Sequence, residues 1–211
     1  MKNKVAVLGG GSFGTVLANI AASNGNEVTL WVRDVEQALR INSEGANATY
    51  HPELKLSSNI TASEDLNEVV SNAQTIFIAT PSIIFETIVK RIAPLIENGI
   101  NVISCTKGIR HNPFKTMTDI ISDNLSSKKV KIGVLSGPNL AREIADNKIA
   151  GTVVASSDKP LIDSTKQILS SNTFKIYSSS DVNGIELAGA LKNIYAIICG
   201  LASSLEVGEN A

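Results

Sequence analysis

The sequence predicts an α/β fold: a doubly wound, mostly parallel sheet, followed by the first helix of an all-α part. Three observations carry this. Short apolar, β-branched runs alternate with longer helical segments along most of the chain. Most runs are apolar at nearly every position, as in strands covered on both faces. A cluster of four glycines, "GGGSFG", separates the first run from the first helical segment. In chain order, strands are expected at 5–8, 27–32, 75–79, 101–105, 131–135, 152–155 and 173–177. Helices are expected at 13–23, 35–42, 82–92, 138–145 and 161–169. Residues 45–63 are polar and irregular around Tyr50, His51 and Pro52, and read as a surface excursion reaching toward a ligand cleft. From Asp181 a helical pattern runs to about Leu205 with no strand after it. The expected division is therefore residues 1–180 as one domain and 181–211 as the start of a helical second domain that looks cut short.

Bulk composition narrows the function classes. The chain has 211 residues, 43% of them apolar, which is ordinary for a globular protein. Its 19 basic and 20 acidic residues leave a formal charge of −1. That balance makes no electrostatic case for nucleic acid or for an anionic membrane surface. Cys105 and Cys199 are too far apart in sequence for metal-ligand spacing, and neither suggests a disulfide framework. Both read as reduced packing thiols of a cytoplasmic protein, and no metal is expected. The apolar run after "MKNK" is too short for a signal peptide. The apolar stretch 185–202 carries Glu186 and, centrally, Lys192 and Asn193, which argues against membrane insertion.

The glycine cluster has a physical reading. Gly9-Gly10-Gly11-Ser12-Phe13-Gly14 matches G-x-G-x-x-G between a strand and a helix, with a second strand some twenty residues on. Gly9 allows the tight turn, Gly11 lets a pyrophosphate approach the backbone, and Gly14 lets the helix pack closely. The free N–H groups of the first helical turn then face the diphosphate. This is the signature of a Rossmann-type dinucleotide site. The second strand ends "WVRD". Arg33 suits a 2′-phosphate or stacking on adenine; Asp34 could serve NAD instead, but reads better as the N-cap of the following helix. The cofactor is therefore expected to be NAD or NADP, with NADPH favoured.

Later strand ends carry "TPS" at 80–82, "CTKG" at 105–108 and "SGPN" at 136–139. In an open parallel sheet these carboxyl ends converge on one cleft. Lys107 would offer a cation to a substrate phosphate or carboxylate, and the N–H groups after Pro138 an anion site. In the last helix Leu187, Leu191, Ile194, Ile198, Leu201 and Leu205 share one face. The opposite arc holds Glu186, Gly189, Lys192, Asn193, Ala196, Gly200 and Ser203. Glycines beside Lys192 suggest room kept for something bulky, and a lysine in a dry pocket suits proton transfer.

These stretches together, "GGGSFGTVLA", "WVRD", "ATPS", "CTKGI", "VLSGPNLAREI" and "GIELAGALKNIYAIICG" with the closing "GEN", resemble the bacterial NAD(P)-dependent glycerol-3-phosphate dehydrogenases from end to end. The resemblance implies reversible hydride transfer between NAD(P)H and dihydroxyacetone phosphate, giving sn-glycerol 3-phosphate for phospholipid synthesis in the cytoplasm. It implies Lys192 as the proton donor to the ketone oxygen. It implies Lys107, Gly137, Asn139 and Lys192 at the substrate. Gly9, Gly11, Ser12, Phe13, Gly14, Arg33, Lys107 and Ala141 fall to the nucleotide. Asn139 stands where the family usually has serine or threonine, and keeps a hydrogen-bonding group. The family continues past Ala211 into a helical domain that grips the substrate phosphate, so slow turnover is expected of these 211 residues and a homodimer of a full-length protein. A ketopantoate or 3-hydroxyacid reductase, or an inactive NAD(P)-binding module, would share the glycine turn.

Overall fold

The computed structural model describes residues 2–205 and 207–208. Eight strands form one sheet in the order β10-β9-β8-β5-β4-β1-β2-β3. The strands are β1 (Lys4–Leu8), β2 (Glu27–Trp31), β3 (Ile60–Ser63), β4 (Thr75–Ile78), β5 (Asn101–Ser104), β8 (Lys131–Ser136), β9 (Ala150–Ala155) and β10 (Phe174–Ser179). Neighbours pair parallel except β8 and β9, which run antiparallel. Strand order reverses direction at β1, which lies between β4 and β2, so the switch point of the sheet opens beside the glycine turn.

Each strand feeds both faces. Val5, Val7, Phe77, Ile103 and Leu135 pack under helices α1 (Ser12–Ser23) and α7 (Lys159–Leu169). Ala6, Leu8, Ile76, Ile78 and Val102 pack under α4 (Ser82–Ile92) and α5 (Met117–Asn124). A strand that alternates its apolar side chains between two covered faces reads as a continuous apolar run, which is why the central strands were legible.

The fold adds elements that the pattern does not announce. Residues 45–63 are not irregular throughout: they end in β3, which pairs with β2 and buries Ala62. The short α3 (Leu66–Val70), the hairpin β6 (Ile109–Arg110) with β7 (Lys115–Thr116), and α5 are also unannounced. α5 begins with a reciprocal capping box between Thr116 and Asp119. The helix expected from Pro138 starts at Ala141 as α6 (Ala141–Ala145). The Asn139 amide turns back on the Gly137 carbonyl at 2.8 Å, so 137–140 form a turn instead.

The last helix, α8 (Val182–Ser204), is capped by the Asp181 side chain at the Gly184 amide. It docks the opposite way round from its amphipathic reading. Glu186 is buried, and Gly189 lies on Ser136 at the end of β8. The leucine–isoleucine face is open, from Leu187 at 38% exposed to Leu205 at 65%. Cys105 is buried as expected, but Cys199 is exposed on α8 and is not a packing thiol among the described residues.

Candidate functional site

The carboxyl ends of β1, β2, β4 and β5, with Asn139 beyond β8, surround one cleft of about 710 Å³. Gly9, Gly11, Ser12, Phe13, Arg33, Lys107 and Asn139 all line it. Gly14 is buried beneath the turn. Gly137 is wedged against Gly151 and Thr152, and Ala141 packs on the core beside α1, so these two stand outside the lining. Lys192, half-buried on α8, also stands outside the lining.

The glycines divide by what surrounds them. Gly9 has φ +124°, and a Cβ there would stand 2.7 Å from the Ala79 carbonyl oxygen. A Cβ on Gly10 would strike Val32, and one on Gly14 the Gly9 carbonyl. Gly11 alone of the four has nothing within 4 Å. Three glycines are therefore required by the chain's own packing, and the fourth borders open cleft. Gly11 is also the N-cap of α1, and no side chain caps that helix. Its first-turn N–H groups stand at the cleft wall, the donor set a diphosphate takes.

At the second strand's end, the Glu36 amide donates to the Asp34 carboxylate at 2.9 Å, so Asp34 is the N-cap of α2 (Val35–Glu44) as expected. Arg33 lines the cleft together with Arg40, seven residues on in α2 and unnoticed in the sequence. Among the described residues neither arginine forms an ion pair.

The floor joins β4 to β5. The Thr106 hydroxyl bonds the carbonyl oxygens of Thr80 at 2.7 Å and Ile78 at 3.2 Å. Thr80 and Asn139 both line the cleft, and Thr80 Oγ1 and Asn139 Oδ1 are buried without a hydrogen-bond partner among the described residues. Buried polar atoms ordinarily find partners, so these two stand out beside the cleft.

Beyond the floor lie the two lysines. A Cβ on Gly189 would meet the Lys107 stem at 3.8 Å. The room beside Lys192 at Gly189 is thus taken by Lys107 and Ser136 rather than kept for a ligand. Desolvation of the Lys107 ammonium lowers its pKa, and the neighbouring charge of Lys192 lowers it further. Burial pushes the Cys105 thiol well above its ordinary value, so it remains protonated. α8 is fastened by Glu186, whose carboxylate accepts from the Thr118 amide at 2.9 Å and from the Thr118 hydroxyl. Thr118 lies in the first turn of α5, where a carboxylate complements the free N–H groups and the helix dipole. Sequence reading placed Glu186 on the polar arc and gave it no partner.

The comparisons with known proteins agree with this geometry. The family model for the NAD-dependent glycerol-3-phosphate dehydrogenase N-terminus matches residues 4–162, and the model for the C-terminus matches 181–211. The chain is 43% identical to a glycerol-3-phosphate dehydrogenase [NAD(P)+] of Alcanivorax borkumensis, covering 100% of this chain and 61% of that one. It is 46% identical to one from Saccharophagus degradans, covering 99% of this chain and 58% of the relative. The crystal structure of glycerol-3-phosphate dehydrogenase from Coxiella burnetii superposes with TM-score 0.89 at 31% identity, over 99% of this chain and 63% of that one. The chain thus spans about three fifths of the length of these relatives. The chain belongs to the NAD-dependent glycerol-3-phosphate dehydrogenase family.

Proposed function

We propose that the chain forms the NAD(P)H-binding part, with the catalytic lysine, of an oxidoreductase that interconverts dihydroxyacetone phosphate and sn-glycerol 3-phosphate. The observation that carries this is the space at Gly11. It is open, and it is faced by the uncapped start of α1. The nicotinamide supplies the hydride when bound. Everything else is left to the chain. The first-turn N–H groups of α1 hold the diphosphate. Lys107 presents positive charge to the substrate and cofactor, and Asn139 offers its amide to the substrate. Lys192 holds the proton that passes to the ketone oxygen as negative charge develops there.

Arg33 and Arg40 favour NADPH, because their charge is not taken up by an ion pair while the Asp34 carboxylate is engaged at α2. The expected setting is the cytoplasm, with a homodimer in the full-length protein. The test is NADPH oxidation with dihydroxyacetone phosphate by a full-length protein. Lys192→Ala should lower kcat by about 10²–10⁴ with NADPH affinity kept, the usual contribution of a general acid. In the same assay Arg33→Ala should raise KM for NADPH and leave that for NADH. An unchanged kcat would overturn the catalytic assignment, and an unchanged NADPH KM the cofactor preference.

A further inference from the structure

The glycine turn is gripped from behind. Gly10 O accepts from Gln37 Nε2 at 2.9 Å and from Asn47 Nδ2 at 3.0 Å. Asn47 Nδ2 also reaches Thr15 Oγ1 at 2.8 Å, while its Oδ1 accepts from Gln37 Nε2 at 3.1 Å. Asn47 is 2% exposed, and a carbonyl oxygen only accepts, so the amide's orientation is fixed by the network. Four residues on, His51 Nε2 lies 3.0 Å from the Ser12 carbonyl and 3.0 Å from the Ser12 hydroxyl. Asn47 and His51 are themselves joined, the His51 amide donating to the Asn47 carbonyl at 2.8 Å.

We infer that Gln37, Asn47 and His51 are positioning residues that aim the phosphate-binding amides of the glycine turn into the cleft. A trans peptide is planar, with its C=O and N–H on opposite sides. A Gly10 oxygen pulled toward Asn47 and Gln37 turns the Gly11 N–H the other way, away from those two side chains, and Gly11 itself lines the cleft. The Ser12 oxygen held by His51 does the same for the Phe13 N–H. Three glycines in succession would otherwise leave the Gly10–Gly11 peptide free to rotate, whereas the Ser12–Phe13 peptide is already held within α1. The network holds the donors in place before ligand arrives, so that binding does not have to order them. The role explains why a polar, irregular excursion has a buried asparagine at its start. It rests on the dinucleotide reading above and goes beyond it.

The experiment is NADPH titration by calorimetry on the 211-residue chain, with Asn47→Ala and Gln37→Ala beside the wild type. ¹⁵N NMR of the Gly11 amide is recorded on the ligand-free proteins. Asn47→Ala should weaken NADPH tenfold or more and should shift or broaden the Gly11 resonance while those of β4 stay in place. Gln37→Ala, on the surface helix α2, should fold whatever happens to Asn47→Ala and should weaken NADPH about threefold with a smaller Gly11 shift. Folded variants with wild-type affinity, or lost affinity with an unmoved Gly11 amide, would overturn the inference. A wild type that fails to bind NADPH would overturn the dinucleotide reading instead.

Discussion

The two walls of the cleft are built differently. On the β1 side the glycine turn is held by the chain around it: Ala79 beneath, Val32 beside, Gln37, Asn47 and His51 behind. On the α8 side, the helix bearing Lys192 rests by its first turns on β8 and by one buried carboxylate on α5, and its long apolar face is bare. The wall at the glycine turn is packed from beneath, beside and behind, whereas α8, which carries Lys192, is supported on one side. Binding and catalysis should therefore respond differently to damage.

The largest effect expected is on the glycine-turn wall. Gly14→Ala ought to gain about 1 kcal/mol of helix propensity. The new methyl collides with the Gly9 carbonyl oxygen, and backbone does not yield as a flexible side chain does. A net loss of about 3 kcal/mol or more, read by chemical denaturation, is expected. Wild-type stability would mean that the turn is not packed as described.

Glu186→Ala probes the other wall. It leaves the Thr118 amide and hydroxyl without their partner, at a cost of about 2 kcal/mol. Glu186→Gln should cost less, because its amide oxygen still accepts from the Thr118 amide. If Glu186→Ala melts with the wild type, α8 is held by something else.

The smallest effect lies where the walls meet. Lys107 titrates below the usual 10.5, since desolvation and the Lys192 charge disfavour its protonated form. Anion binding there is complete below the lowered pKa and is lost as pH rises through it. NADPH affinity should therefore begin to fall at a lower pH than an ordinary lysine would allow. Lys107→Arg should flatten that fall, because guanidinium stays charged. Parallel pH profiles for the two proteins would show that Lys107 does not face the ligand.

Much of the glycine-turn wall was legible from residue order alone. Its strands are apolar on both faces, its turn demands glycine, and Asp34 sits where an N-cap belongs. The network behind the turn was not legible. Nothing in "GANATYHPE" says that Asn47 will be buried against Gly10, since that pairing spans 37 residues. α5 carried a readable signal in Thr116 and Asp119, but its short apolar run resembles loop. The orientation of α8 was misleading for a physical reason. Periodicity identifies an apolar face but not its partner, and here the polar arc has the nearer one, in Ser136, Lys107 and Thr118. Of the motifs read in the sequence, only the closing Glu209-Asn210 lies outside the described residues.

Gly11→Ala tests the account most directly. Its Cβ meets no atom of the chain within 4 Å and its φ is −78°, so the variant should fold and melt as the wild type does. That Cβ would stand in the space assigned to the diphosphate. NADPH titrated onto wild type and variant should bind the first and lose tenfold or more on the second, with melting temperatures matched. Equal affinity for the two proteins would show that no dinucleotide lies across this turn.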